Sequence, residues 1–332
     1  MLLYLFRSII SMKSIYHLIF ILSILGFTSC ADPILENSIQ DPSSAQQVID
    51  GTHVVNVIKY ASNSRSHQSS ASYYDYLFLI TQSRKNIYLY NLRSKEMLCT
   101  MQMDEGVGNS STGGDLYHSN QATFGVDFYN SLDPFPLLYI SQRAKEDLRC
   151  FVECYRILPF SANPESDYSS ISAQLVQTIH FPKMTKENSL GNVNCVIDQD
   201  KRLMYTYSRN NNNHDKNYGI CKISCFGIPN LDKSEVFLED SDIIDSYQID
   251  CSAINMQGGC IKDGLLYIGQ GYKSEGIYMN VVDLSLRSLR CRIDLLKTGI
   301  EWEPEGCFVY EDRIMVSSND NNIWAFQFLS LN

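Results

Sequence analysis

The sequence lacks most of the patterns that reveal an activity directly. It contains no G-x-S-x-G, no H-E-x-x-H and no P-loop, and Gly106-Val107-Gly108 lacks the third glycine of a dinucleotide-binding turn. It also lacks any cluster of Lys and Arg or ladder of aromatic and basic residues, which excludes nucleic acid as an expected partner. Finally, it has no apolar run of the roughly 20 residues that a membrane-spanning helix needs.

The N-terminal segment has the three parts of an export signal. Lys13 supplies the positive start, residues 18–27 form a short apolar run, and small residues lead to Cys30. The stretch Leu-Gly-Phe-Thr-Ser-Cys at residues 25–30 resembles the lipobox of bacterial lipoproteins, although Phe27 stands where Leu is usual. The resemblance implies that residues 1–30 are a signal peptide and that Cys30 carries acyl chains of the palmitate type. A plain signal peptide with an incidental cysteine is the alternative.

Two or more acyl chains hold a protein stably on a membrane. We therefore expect a monomer in the cell envelope, attached to the outer membrane through Cys30 and facing the periplasm or the exterior. Cleavage removes Arg7 and Lys13 and no acidic residue, so the formal net charge of −10 becomes −12. An acidic domain of this kind again disfavours a nucleic-acid partner.

The rest of the chain divides into two parts. Residues 31–50 are polar and without period, which predicts a flexible tether. Residues 51–332 are a succession of short β-rich runs with almost no helical apolar spacing. The clearest unit has strand-like runs at 76–81, 87–92 and 97–103 that follow one another directly, which is the antiparallel meander of a propeller blade.

Similar units recur along the chain. Their aliphatic-aromatic strands begin at Leu77, Leu138, Met204, Leu266 and Met315, with spacings of 61, 66, 62 and 49 residues. The sequence therefore predicts an all-β chain folded as a β-propeller of five blades, and a run at 54–60 that pairs into the last blade to close the ring. Six blades and, less favoured, a β-sandwich are the alternatives. Units this long also predict extended loops on one face, at 105–114, 163–172 and 208–217.

The eleven cysteines do not form an obvious framework. Cys150 and Cys154, like Cys221 and Cys225, are four residues apart in strand-like runs, so their Cα atoms are about 13 Å apart. Neither pair can close a disulfide, which needs about 7 Å or less. The alternation around Cys221 and Cys225 predicts small buried hydrophobes, and no C-x-x-C spacing supports zinc. Cross-strand disulfides remain open.

Two segments near the C-terminus carry a family resemblance. Met-Gln-Gly-Gly-Cys-Ile at 256–261 and Glu-Trp-Glu-Pro-Glu-Gly-Cys at 301–307 resemble teichoic-acid-biosynthesis-type and phage receptor-binding-type propellers over roughly the last 80 residues. Residues 118–125 and 134–139 are similar to uncharacterised propeller lipoproteins of gut-type bacteria. These resemblances imply a fold and a location and no activity.

Several polar residues come just before the innermost strands of successive units. Because those strands start at one rim of the central channel, we expect their flanking side chains to converge in one ligand-binding pocket. The candidates are His118, Asn194, Gln257, Glu303 and Glu305. Their carboxylate and amide oxygens suit a hard cation, so calcium is a possible cofactor. The competing interpretation is a wet channel whose polar groups bond only water and turns.

Two functions remain open at this point. The first is a surface lipoprotein that binds a glycan, peptide or protein through its loop face or central pocket. The second is a carboxylate-based, calcium-dependent or calcium-independent hydrolase or lyase acting on a sugar or phosphate ester, in which Glu303 and Glu305 supply a general acid and a base or nucleophile. The sequence leaves open whether an aspartate such as Asp127 or Asp198 also meets Glu305 in the same pocket.

Overall fold

The computed structural model describes residues 46–49, 53–62, 64, 66–81, 86–103, 119–142, 149–158, 171–183, 193–209, 219–251, 255–272 and 276–330. Within them the regular structure is almost entirely β. In chain order the strands are β1 (Gln46–Ile49), β2 (His53–Ala61), β3 (Ser69–Tyr73), β4 (Tyr76–Ile80), β5 (Asn86–Asn91), β6 (Glu96–Met103), β7 (Ala122–Phe124), β8 (Leu138–Gln142), β9 (Phe151–Leu158), β10 (Ser172–His180), β11 (Asn194–Asp198), β12 (Leu203–Arg209), β13 (Ile220–Gly227), β14 (Glu235–Phe237), β15 (Ile243–Asp250), β16 (Met256–Lys262), β17 (Leu265–Gly271), β18 (Ile277–Asp283), β19 (Ser288–Asp294), β20 (Gly306–Tyr310), β21 (Arg313–Ser317) and β22 (Ile323–Ser330). Short 3-10 turns occupy Asp240–Asp242 and Leu296–Thr298. None of the described residues forms a helix of a length and hydropathy that could cross a bilayer.

The strands form five antiparallel blades. The blades are β3-β4-β5-β6, β7-β8-β9-β10, β11-β12-β13-β15, β16-β17-β18-β19 and β20-β21-β22-β2, numbered first to fifth here. The first two are also joined at their outer edges, where β6 and β10 pair in parallel over two residues, and β14 adds a parallel strand to β10. The innermost strands β3, β7, β11, β16 and β20 each contact the next around a ring, and β20 contacts β3. The protein is a five-bladed β-propeller, which confirms the predicted fold class.

The hydrophobic core lies between the blades. Five clusters of buried residues each draw their members from two neighbouring blades, so every interface in the ring has its own core. Strand β8 is buried at all five positions because neighbouring blades cover both of its faces, whereas the outer strand β15 alternates half-buried and exposed side chains. Cys221 and Cys225 lie in the cluster between the third and fourth blades, as their alternation predicts.

The ring closes through strands from the two ends of the domain. Strand β2 pairs antiparallel with β22, with Val57 opposite Phe326 and Lys59 opposite Trp324. Val57 and Phe326 are both buried. The predicted pairing of the run at 54–60 into the last blade is therefore confirmed. Strand β1 extends the same sheet by pairing with β2, although it falls inside the segment 31–50 for which the sequence predicts a tether.

The repeat in the sequence corresponds to the second strand of each blade. It did not predict the innermost strand of the first blade. That strand, Ser69–Tyr73, consists of small and polar residues that carry no aliphatic signal. The long segments predicted at 105–114, 163–172 and 208–217 lie wholly or mostly outside the described residues. The strands on either side of 105–114 and of 208–217 end at the rim where inner strands start. Those on either side of 163–172 end at the opposite rim, so the prediction that the long loops share one face is wrong.

Candidate functional site

Each blade places one amide or carboxyl side chain at the start of its innermost strand. Three of these residues directly precede their strand, and the other two are the first and second residues of theirs. All five are buried, with 7% or less of their surface exposed. We call them the amide-carboxyl belt: Gln68, Gln121, Asn194, Gln257 and Glu305.

Gln121 reaches across the channel to the fourth blade. Its Nε2 donates to the carbonyl oxygens of Gly259 (2.8 Å) and Ala122 (2.7 Å), and its Oε1 accepts from the Gly259 N–H (2.5 Å). The Oε1 also shares the single proton of the Tyr207 hydroxyl (3.2 Å) with the Gln257 backbone oxygen. The second, third and fourth blades are thus bonded together by one side chain. Because its hydrogen-bonding capacity is filled by protein groups, Gln121 acts in the belt as a structural link.

Asn194 and Gln257 continue the belt. The Asn194 Nδ2 and the Tyr207 hydroxyl both donate to the backbone oxygen of Gln257, at 3.3 and 2.7 Å. The side chain of Gln257 donates through Nε2 to Glu303 Oε1. Its Oε1 is buried and has no hydrogen-bond partner among the described residues. A buried carbonyl oxygen of this kind is an acceptor available to a ligand or water.

Glu305 of the belt forms a pair with a second carboxyl group, that of Glu303. Gln68 Nε2 donates to Glu305 Oε2, and the carboxyl groups of Glu305 and Glu303 are hydrogen-bonded to each other. Burial raises the pKa of Glu305 well above its usual range, and the charge of Glu303 and the hydrogen bond to it raise the pKa further. Two carboxylates in contact cannot both ionise cheaply, so we infer that the pair shares one proton.

Glycines bring the carboxyl pair against Gln257. A Cβ on Gly258 would lie 2.6 Å from the Gly306 Cα and 2.7 Å from the Glu305 oxygen, and one on Gly306 would lie 2.0 Å from Ser70 Oγ. Distances this short do not occur in folded proteins, so β16, β20 and β3 can meet at the axis only with glycine at these positions. This accounts for the Gln-Gly-Gly and Glu-Gly sequences of the two C-terminal segments.

The structure brings together four of the five predicted ligand residues, namely Asn194, Gln257, Glu303 and Glu305. The fifth, His118, lies outside the described residues. Sequence reasoning missed Gln68 and Gln121, which occupy the positions equivalent to Asn194 and Gln257 in their own blades. Each directly precedes the innermost strand of its blade, and neither of these short strands has an aliphatic pattern that would have indicated it.

Neither aspartate that the sequence suggested as a further acid meets Glu305. Asp127 forms a surface ion pair with Arg202 (2.6 Å), and Asp198 lies at the opposite end of β11 from Asn194. Both suggestions are therefore wrong, because each side chain sits at the rim where inner strands end. The carboxyl group that meets Glu305 is that of Glu303, two residues before it in the same loop.

The other end of the channel opens into a cavity of about 480 Å³. All five innermost strands line it, with Tyr73, Thr123, Asp198, Lys262 and Val309 representing the blades in order. Lys262 forms ion pairs with Asp263 of the fourth blade and Asp312 of the fifth blade. Gly259, which Gln121 binds, also lines the cavity, so the belt and the cavity meet there.

Within the described part of the chain, no group of three or more His, Cys, Asp or Glu side chains is arranged to hold a metal ion. The carboxyl pair and the Gln257 Oε1 supply three oxygen donors of the hard type that calcium prefers. Calcium at this position stays a prediction.

The fold and the belt together define a class: a five-bladed propeller whose channel is capped at one rim by amides and a carboxyl pair. No protein-family model matches the chain, and no curated protein is similar to it. Among solved structures, the chain is similar to a glutaminyl cyclase from Myxococcus xanthus, with 12% identity and a TM-score of 0.43 over 83% of this chain and 95% of that one. A similarity at this level carries no information on activity, and the fold assignment rests on the strand pairing.

Proposed function

We propose that the protein is a lipid-anchored receptor of the cell envelope that binds a hydroxyl-rich ligand, of the glycan type, at the rim of the channel where the innermost strands start. The observation that carries this proposal is the carboxyl pair beside the buried Gln257 Oε1. These groups are hydrogen-bond acceptors that lie next to one another at this rim. A ligand that matches them must present several donors close together, as the hydroxyl groups of a sugar do.

An aromatic residue supports the choice of a sugar over a peptide. Trp302 precedes Glu303 directly, and 48% of its surface is exposed although a large apolar side chain gains by burial. An exposed indole next to converging acceptors offers one apolar face and one polar face, the combination that binds an amphipathic ring. A peptide or protein ligand is the other outcome of the test below.

The test is a thermal-shift and calorimetric screen of the purified protein against a panel of glycans and peptides. A ligand that binds only the folded state at 100 times its Kd stabilises the protein by about 2.7 kcal/mol, which raises Tm by about 5 °C. We expect at least one glycan to do this. Trp302→Ala and Glu303→Gln should each weaken that glycan by about tenfold or more, since stacking and charge-assisted hydrogen bonds contribute more than 1 kcal/mol each.

Glu301 provides the matched control. It lies in the same loop and is exposed, so Glu301→Gln should leave the affinity unchanged. Equal weakening by Glu301→Gln and Glu303→Gln would mean that only loop charge matters and would contradict binding at the pair. If peptides bind and no glycan does, the glycan proposal is wrong and the ligand is a peptide or protein. Calcium and a chelator belong in the same screen, and a Tm raised by calcium only with Glu303 and Glu305 intact would support a cation at the pair.

The lipid anchor is tested separately. Cys30→Ser should move the protein from the membrane fraction to the soluble fraction, because acyl chains are what would hold it there. Continued membrane association of the variant, with no mass increase from acylation in the original protein, would contradict the anchor.

One observation favours an enzyme as the second candidate: a carboxyl pair that shares a proton can act as general acid and base. The two carboxyl groups are in hydrogen-bond contact. Retaining glycosidases require a separation of about 5 Å between their two carboxyl groups, and inverting glycosidases about 6.5–9.5 Å, so this pair is too close for either. A proton-transfer reaction such as that of a lyase therefore fits better than displacement at a sugar carbon. Incubation of each bound glycan with the protein, followed by mass spectrometry, should show it unchanged if the protein is a receptor only.

A further inference from the structure

The innermost strands of the fourth and fifth blades carry two cysteines whose sulfur atoms are in contact. The Sγ atoms of Cys260 on β16 and Cys307 on β20 are 2.9 Å apart, although the residues are 47 positions apart in the chain. Sulfur atoms of unbonded thiols are normally farther apart, and a disulfide needs them at about 2.05 Å. Closing the bond thus requires a movement of less than roughly 1 Å.

The surroundings keep these two thiols together and largely buried, although both residues also line the cavity at the end of the channel. Both cysteines belong to the core cluster between the fourth and fifth blades, with 8% and 2% of their surfaces exposed. Burial and the neighbouring Cys260 raise the pKa of the Cys307 thiol well above its usual range. Since the thiolate is the reactive form, oxidation of the folded domain should be slow, and the bond should form while the blades are still assembling.

We propose that Cys260 and Cys307 form a disulfide that joins the fourth blade to the fifth at the axis of the propeller. The oxidant is a disulfide compound of the glutathione type. One cysteine thiolate attacks its S–S bond and releases one thiol, and the second thiolate then attacks the mixed disulfide and releases the other. The two cysteines lose two electrons and two protons in total, and the oxidant becomes two thiols.

The bond would act on the amide-carboxyl belt. Cys260 follows Gln257 by three residues, and Cys307 follows Glu305 by two, on the strands that glycines bring into close contact. A covalent link at this point fixes the register of the two strands that carry the acceptors. The inference stands independently of what the belt binds.

The experiment is to refold the full chain from denaturant in detergent, once in a glutathione redox buffer and once in reductant. Remaining thiols are then alkylated under denaturing conditions, and peptides are mapped without reduction. We expect a cross-linked peptide containing Cys260 and Cys307, two hydrogen masses lighter than the separate peptides. We also expect Tm to fall by about 5 to 10 °C on reduction, the range for a link that closes a loop of this length.

Variants identify which bond is responsible for the change in Tm. The double variant Cys260→Ala/Cys307→Ala should lose the dependence of Tm on reductant, whereas Cys99→Ala, at a half-buried site on an outer strand, should keep it. Cys221 and Cys251 also interact, so the peptide map must distinguish the two pairs. Alkylation of both Cys260 and Cys307 after oxidative refolding, or linkage of either to another cysteine, would overturn the proposal, and this result needs no variant to fold.

Discussion

Replacement of Glu305 by glutamine tests the shared proton of the carboxyl pair. A glutamine amide has the shape of a protonated carboxyl group: its oxygen can accept from Gln68, and its N–H can donate to Glu303. Glu305→Gln should therefore preserve every hydrogen bond of the pair. Glu305→Ala removes the acceptor of the buried Gln68 amide and leaves a cavity, which together cost about 2 to 4 kcal/mol.

The pH dependence gives the sharper result. A carboxyl group with a raised pKa in the folded state binds its proton more tightly there than in the unfolded chain, where its pKa is about 4.3. Its stabilising contribution is fully present below the unfolded pKa and is lost as pH rises toward the folded pKa. Over that window the native protein loses up to about 1.4 kcal/mol per pH unit from this group, whereas Glu305→Gln loses none.

The assay is urea unfolding of both proteins from pH 4 to pH 9. The free energy of unfolding of Glu305→Gln minus that of the native protein should rise with pH from about 4.3 upward and level off once Glu305 ionises in the folded state. Glu301→Gln, an exposed change in the same loop, should give a flat difference. A flat difference for Glu305→Gln would show that Glu305 is charged throughout and would refute the shared proton.

Three further changes test the packing that positions the belt. Gly258→Ala should cost about 1 to 3 kcal/mol because its Cβ would overlap the backbone of β20, whereas Gly227→Ala, with nothing within 4 Å, should stay within about 0.5 kcal/mol in urea unfolding. Val57→Asp should cost roughly 3 kcal/mol or more, because it places a carboxylate at a site with 1% exposure in the closing strand, and limited proteolysis should then cut the domain. Tyr207→Phe should cost about 1 to 2 kcal/mol by removing the donor that lies 2.7 Å from the Gln257 backbone oxygen, with Tm as the measurement.

The sequence was informative wherever a strand is buried on both faces. Strands such as Tyr76–Ile80 form continuous apolar runs because neighbouring blades cover them, and their regular recurrence predicts the number of blades. The innermost strands are different. Ser69–Tyr73 and Ala122–Phe124 are short strands, each with a single large side chain at its C-terminal end, so they carry no aliphatic pattern and the sequence did not predict them.

The close contact between strands at the axis explains which site residues could be predicted from the sequence. Gln257 and Glu305 stand beside glycines, which are visible in the sequence, and the glycines mark the closest approach of two strands. Gln68 and Gln121 are followed by serine and alanine, and neither residue type indicates a close approach of two strands. The sequence could not decide whether Asp198 meets Glu305, and the structure shows that Asp198 lies at the opposite end of its strand from Asn194.

The position of the carboxyl pair at the axis has a consequence for any ligand. Glu303 and Glu305 belong to the loop that enters the fifth blade, and this blade is completed by β2 from the start of the domain. Glu305, Gln257 and Gln68, which donates to Glu305, come from the fifth, fourth and first blades, so these side chains come together only after β2 has closed the ring. Ligand binding at the belt must then stabilise ring closure by the same free energy that closure contributes to binding. A ligand of the belt should therefore protect the amide hydrogens of β2 from exchange, even though β2 is the outer strand of its blade and lies away from the axis.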